Sequence, residues 1–180
     1  MFIDSTQLEK ANRLLKNING GMPKAVSRAM NRAISSARTQ GVKTVCLEYV
    51  IRASDINSTI SLSRASASQL TAKINSKGAP TPLIKFRARQ NKKSLNVTVK
   101  RSGGGKIKNA FIATTKKGYR GVFIRTNGKK AYPIKQIHGP SIPQMFNNDK
   151  VIDAMETRAE EQFAVRLIHE AGILLKGGIK

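Results

Sequence analysis

Asn109-Ala-Phe-Ile-Ala-Thr-Thr-Lys-Lys-Gly-Tyr-Arg-Gly-Val-Phe-Ile-Arg125, followed after a short gap by Ala131-Tyr-Pro-Ile-Lys-Gln-Ile-His-Gly-Pro-Ser-Ile-Pro-Gln-Met-Phe146, is the stretch from which the fold is read. Phe111 and Ile112 open one apolar run, and Val122, Phe123 and Ile124 form another. Lys116-Lys117-Gly118 lies between them, polar and with a glycine where positive φ is needed, which is the pattern of a β-hairpin. Asn127-Gly128 marks the next turn, and a further short run extends from Tyr132 to Ile137. Gly139-Pro140-Ser141-Ile142-Pro143 is expected to end regular pairing, because neither proline can donate to a ladder.

C-terminal to this stretch, Asn147-Asn148-Asp149 opens a last helix. Its stripe of Ile152, Met155, Ala159, Phe163, Leu167, Ala171 and Leu174 recurs at three- and four-residue steps, and Gly177-Gly178 ends it. On the N-terminal side, Leu95, Val97 and Val99 alternate with Asn96, Thr98 and Lys100. Ile60 and Leu62, then Leu70, Ala72 and Ile74, alternate with polar neighbours in the same way, the period of half-exposed strands. Ala79-Pro80-Thr81-Pro82 reads as a turn. The lysine- and glycine-rich stretch 90–108, with Gly103-Gly104-Gly105, reads as a mobile loop.

Helices fill the beginning of the chain. Ser5 or Thr6 caps one that carries Leu8, Ala11, Leu14, Leu15 and Ile18 at helical spacing, and Gly20-Gly21 ends it. Pro23 suits the first turn of a longer helix whose stripe is Val26, Ala29, Met30, Ala33, Ile34, Ala37 and then Thr44 and Val45. Its alanines let another backbone approach closely, while Gly41, about 1 kcal/mol worse than alanine in a helix, marks a point for a kink or break. Ser54-Asp55 signals a further short turn of helix from Ile56 to Ser58. The expected fold is α+β: an antiparallel β-sheet of five or six strands flanked by N-terminal helices and a long C-terminal helix. A single domain spans 1–180, with a helical N-terminal segment (residues 1–55), a basic β-sheet region (residues 56–146) and a C-terminal helix (residues 147–176).

Charge narrows the class of partner. The 180 residues carry 33 Lys plus Arg and 10 Asp plus Glu, a net charge of +23. Residues 56–148 hold 19 of the basic residues and none of the acidic ones, against 9 and 4 in residues 1–55 and 5 and 6 in residues 149–180. So long a positive tract repels itself unless an anionic partner offsets it, either phosphate backbone or an acidic protein surface. The acidic face of the last helix is a further counterpart, in its own chain or in a neighbouring subunit. The basic cluster Lys85, Arg87, Arg89, Lys92, Lys93, Lys100, Arg101, Lys106 and Lys108 is the candidate anion-, DNA- or partner-binding set. Gly139-Pro-Ser-Ile-Pro143 reads equally as a rigid corner that aims the last helix and as an interface clamp, with Ile142, Met145 and Phe146, apolar residues in an irregular segment, as the candidate protein interface.

Chemistry has little to work with. His138 and His169 are the only histidines, and neither stands at a metal-ligand or triad spacing. The lack of carboxylates from 56 to 148 removes the pairs that a metal-dependent nuclease or a glycosidase needs in a sheet. Gly103-Gly-Gly-Lys106 lacks the leading glycine and the hydroxyl residue of a phosphate loop. No catalytic residue, metal site or cofactor is expected. Cys46 stands alone, so a disulfide framework is excluded and a reducing compartment fits. No apolar run approaches the roughly 20 residues of a membrane span, and no membrane partner is expected. With Trp absent and Tyr49, Tyr119 and Tyr132 scattered, any nucleic-acid contact is expected to be non-specific.

The order Ala-Phe-Ile-Ala (110–113), Gly-Val-Phe-Ile-Arg (121–125), Tyr-Pro-Ile-Lys (132–135) and Gly-Pro-Ser-Ile-Pro-Gln-Met (139–145) resembles the minor tail protein Z family of tailed phages and prophages. The likeness is most specific over 109–146. It runs more loosely from the alanine-rich segment near Arg28 through Lys85-Phe-Arg-Ala-Arg89 to the final helix, with 90–108 outside the pattern. The resemblance implies a structural, non-enzymatic component of the virion tail, made in the host cytoplasm. It also implies other tail proteins as partners and a homo-oligomeric ring, commonly six-fold. The alternative is a basic protein that binds nucleic acid non-specifically on its own.

Overall fold

The computed structural model describes residues 5–15, 20–91, 94–126 and 133–177. Ile18, Lys92, Lys93, the Asn127-Gly128 turn, Tyr132 and Gly178 lie outside the described residues. The chain groups into two compact units, one of Met1–Gly41, Ile60–Asn75 and Asp149–Lys180, the other of Val42–Thr59 and Ser76–Asn148. The class is the expected α+β, with long helices at both ends of the sequence and strands between them.

The first unit is helical and rests on small residues. It contains α1 (Ser5–Leu15), most of α2 (Gly21–Glu48) and α5 (Asp149–Gly177), with β1 (Ile60–Ser63) paired to β2 (Lys73–Ser76). Ala25, Ala29 and Ala33 recur every four residues on α2 and are buried together with Val26, Ala11 of α1, and Phe163, Leu167 and Ala171 of α5. Alanine at these steps leaves room for Phe163 and Leu167 to fill the space between helix axes. Asn31 fastens the chain after β1 to α2: its Nδ2 donates to the Ala65 carbonyl at 2.8 Å and its Oδ1 accepts from the Ala65 amide at 2.8 Å. Arg158 Nε donates to Ser36 Oγ at 3.1 Å, joining α5 to α2. The expected break at Gly41 does not occur, and α2 runs on to Glu48. Burial of Val42 and Val45 beyond the glycine offsets its cost in helix propensity.

The second unit takes the end of α2 from Val42 and α3 (Ala53–Asn57), and is otherwise built from short strands, a 3-10 turn and one more short helix. The strands are β3 (Pro80–Pro82), β4 (Arg87–Gln90), β5 (Ser94–Lys100), β6 (Gly103–Lys108), β7 (Ala110–Thr114), β8 (Arg120–Arg125), β9 (Ile134–Gln136) and β10 (His138–Ser141). In place of one sheet of five or six strands, the described chain forms four sheets of two or three strands. Backbone chemistry divides them. Asn109 takes φ 60° between β6 and β7, the left-handed region that asparagine tolerates, and so ends one ladder before the next begins. The 3-10 turn Leu83–Lys85 separates β3 from β4.

The expected hairpin is present. β7 and β8 pair antiparallel with Phe111 opposite Phe123, and their rings lie 6.3 Å apart. Gly118 turns the chain at φ 79°. β9 joins the other side of β8, which carries the buried run Gly121, Val122 and Phe123.

Three expectations need correction. The glycine-rich stretch read as a mobile loop is β6, paired antiparallel to β5 from Ser94↔Lys108 to Lys100↔Gly103. Glycine is there for close approach: a Cβ on Gly104 would lie 3.0 Å from Thr98 Oγ1 and 3.3 Å from the Val97 carbonyl. The Ala79-Pro80-Thr81-Pro82 turn and the proline corner 139–143 supply two strands, β3 and β10, paired to each other. In a two-stranded ribbon each strand has one side that needs no donor, so a missing N–H is tolerated there. Ser141-Ile-Pro-Gln144 then starts α4 (Ile142–Phe146) through a capping box: Ser141 Oγ accepts from the Gln144 amide, and the Ser141 amide donates to Gln144 Oε1 at 2.9 Å.

Leu167 is 0% exposed within the first unit. Leu167→Ala is expected to cost about 2–5 kcal/mol, read as a lowered midpoint of urea unfolding. In the second unit a Cβ at position 139 would stand 2.7 Å from Phe86 Cε2, on a ring that is itself buried. Gly139→Ala is therefore expected to destabilise by about 1–3 kcal/mol in the same assay.

Candidate polyanion-binding surface

Register across β4, β5 and β6 decides where the cations point. Arg89 pairs with Asn96 and Asn96 with Lys106, so these three form one row, while Gln90, Leu95 and Ile107 form the next. Successive residues of a strand face opposite ways. One side of the sheet therefore carries Leu95 and Val97, both buried, with Ala88 and Ile107 half-buried beside them. The opposite side carries Arg87, Arg89, Asn96, Lys106 and Lys108, all exposed. Spacing follows from sheet geometry: Arg87 and Arg89 are about 7 Å apart along β4, and Arg89 and Lys106 about 10 Å apart across β5. Among the described residues, Arg87, Arg89, Lys106 and Lys108 make no ion pair or side-chain hydrogen bond.

Other members of the predicted basic set are placed differently. Lys85, at the end of the 3-10 turn, pairs with Asp55 of α3 at 2.6 Å. Its side chain is 45% exposed, so the pair contributes at most about 1 kcal/mol. Arg101, in the β5–β6 turn, donates from Nε to the Cys46 carbonyl at 2.9 Å and from its backbone amide to the Glu48 carbonyl at 2.8 Å. Its guanidinium thus satisfies a carbonyl left over in the last turn of α2, where positive charge is favoured. Lys100 lies over the buried Tyr49 ring at 5.9 Å. Arg52, Lys85, Arg87 and Arg101, from four different segments, line one open cavity of about 630 Å³ with Asp55 as its one acidic group. Arg87 belongs both to this cavity and to the outward face of the sheet.

Sequence reasoning missed Arg52, which has no neighbour in sequence to mark it as part of a site; only the fold brings it beside Lys85 and Arg101. The proposed interface residues fare differently. Ile142 is 5% exposed and Met145 0%, so both belong to the core of the second unit, and Phe146 is half-buried. The capping box turns Ile142 and Met145 inward on one face of α4, which corrects the expectation of an exposed apolar clamp. Large apolar side chains that do reach solvent are elsewhere, among them Val165, Ile168 and Ile173 of α5 and Leu47 of α2.

Among the described residues no three of His, Cys, Asp and Glu come together as metal ligands. His138 and His169 are exposed and lie in separate units. No helix among the described residues is long and apolar enough to cross a membrane. What the surface can do is electrostatic. The second unit holds 19 Lys and Arg against two acidic residues, Glu48 and Asp55, a balance of +17, whereas the first holds 14 against eight, a balance of +6.

The chain is mixed α+β, and positive charge is the concentrated feature of its second unit. The chain is a member of the prophage minor tail protein Z family, whose family model matches residues 6–176. Membership gives it a structural role in the phage tail. No curated protein and no solved structure matches the chain.

Burial pushes the Cys46 thiol above its ordinary range, with the Arg101 guanidinium drawing it partway back. Only the thiolate reacts with alkylating agents. The rate of Cys46 alkylation in the native protein is therefore expected to level off at a higher pH than in the urea-unfolded chain. A native plateau at the same or a lower pH in a stopped-time mass-spectrometric assay would contradict this.

Proposed function

We propose that this protein completes or caps the tail tube of a phage or prophage, assembling with copies of itself into a closed ring and with other tail proteins around it. It acts by occupying a place in the particle and catalyses no reaction. The match of the tail-protein family over residues 6–176 carries this reading. The exposed Val165, Ile168 and Ile173 on α5 support it, because a free subunit gains little from showing apolar side chains on the outer side of a helix that already buries Phe163, Leu167 and Ala171 on the other. A ring repeats one head-to-tail contact, so this apolar side of α5 on one subunit would meet a different, complementary face on the next. Before assembly the subunit resides in the host cytoplasm.

The second reading, a basic protein that binds nucleic acid on its own, draws on the +17 balance of the second unit. Deleting the reading frame from an inducible phage separates the two. The tail reading expects particles with incomplete, non-infectious tails, restored by the protein supplied in trans, and a tagged copy located on the tail by electron microscopy. Normal infectious tails without the protein would refute it. Cross-linking of assembled tails is expected to give a ladder of self-linked products ending at a closed number, six for a hexamer, and a single copy per tail would rule out the ring.

A further inference from the structure

We propose that the outward face of the β4–β5–β6 sheet, continued through Arg87 into the cavity lined by Arg52, Lys85 and Arg101, is a landing surface for the backbone of double-stranded DNA. The setting rests on the tail reading, since the genome leaves a phage through its tail; the surface itself does not.

Charge magnitude favours a polyanion over an acidic protein. The second unit has 19 cations and two acidic residues, and Asp55 is already engaged by Lys85. A protein counterpart would have to bring a comparable surplus of carboxylates. Of the segments 1–55, 56–148 and 149–180, the last alone has more acidic than basic residues, and it has only six against five. Duplex DNA offers one negative charge per ~1.7 Å of axis and meets the surplus with a short length.

Geometry favours duplex over single strand. The cations stand in two rows, Arg87 with Arg89 and Lys106 with Lys108, separated by the neutral Asn96 and Thr98 of β5. The rows are about 10 Å apart, between the ~6 Å and ~12 Å widths of the two grooves of B-form DNA, a difference that long Arg and Lys side chains can span to reach phosphates on both sides of one groove. Single-strand binders add aromatic platforms on which bases stack. Among the described residues the outward face has none: Phe86 at the cavity is buried, and the Tyr49 ring is buried beneath Lys100. Arg101 and Lys85 are held in place by Cys46 and Asp55, so some of the ordering cost of binding is met before the ligand arrives.

The test is fluorescence anisotropy of the purified full chain with a labelled duplex of about 20 base pairs and arbitrary sequence, titrated between about 50 and 200 mM KCl. Phosphate contacts by the four sheet cations Arg87, Arg89, Lys106 and Lys108 predict a slope of log K against log salt of about −3.6, a weakening of about a hundredfold over that range, and any contact from Arg52, Lys85 or Arg101 makes it steeper. Arg89→Ala with Lys106→Ala is expected to weaken binding and flatten the slope by about 1.8, whereas Lys116→Ala with Lys117→Ala, an equal loss of charge in the β7–β8 turn, leaves the slope unchanged. All four residues are exposed, and the thermal midpoint of each variant checks that it is folded. Equal weakening by both pairs would reduce the surface to general attraction and overturn the proposal. So would single-stranded DNA binding as tightly as duplex, or polyglutamate competing as well as duplex at equal charge, which would point to an acidic protein instead. A chain that enters tails normally but fails to bind duplex overturns this surface and leaves the tail role standing; one that binds duplex as predicted but is dispensable for tails does the reverse.

Discussion

Like-charge repulsion within the second unit is the constraint that its strand architecture has to satisfy. A balance of +17 cannot be folded inward, because an unpaired buried cation costs several kcal/mol. Alternation in β4, β5 and β6 solves this by geometry. Along β4 and β5, Arg87, Arg89 and Asn96 go to water while Leu95 and Val97 go to the core. The cations then sit at sheet spacing in solvent, where screening at physiological ionic strength acts over about 8 Å and most of their repulsion is tolerable. Asp55 and the carbonyl end of α2 take up Lys85 and Arg101 where they crowd.

The first unit answers a different constraint. With aromatics only 5% of the chain, it has few large side chains with which to fill a core; α1 and α5 approach each other closely, and Phe163 and Leu167 share a buried cluster with the alanines of α2. Ala25, Ala29 and Ala33 form a shallow groove on α2 that Phe163 and Leu167 occupy. The arrangement makes the unit sensitive to enlargement at the alanines as well as to truncation at Phe163 or Leu167. Arg28 with Glu170 at 3.5 Å, and Asn31 with Ala65, surround that groove with polar fastenings that add direction more than energy.

Local rules were legible in the sequence and non-local ones were not. The α5 stripe, the alanine face of α2 and the β7–β8 hairpin with Gly118 at its turn each depend on residues a few positions apart, and periodicity reads such features directly. β6 escaped because three consecutive glycines carry no periodicity. What holds Gly104 in a strand is the nearness of Thr98, a partner known only once the register is fixed. α4 escaped because five residues are too few to show a helical period, although Ser141 and Gln144 spell its cap. The same omission led Ile142 and Met145 to be read as exposed. For the candidate surface, the outward placement of Asn96 and Lys100 was visible in the alternation of β5. The alignment of Arg89 with Lys106, and the arrival of Arg52 beside Lys85 and Arg101, depend on pairings across long separations that one sequence does not display.

The ribbon of β3 and β10 has a further consequence. Pro80, Pro82 and Pro140 remove amide donors from a two-stranded element that would otherwise accept a third strand from any passing chain. An exposed strand edge of that kind invites strand addition and fibre growth. Proline at three of the seven positions in the ribbon makes it a poor template for either.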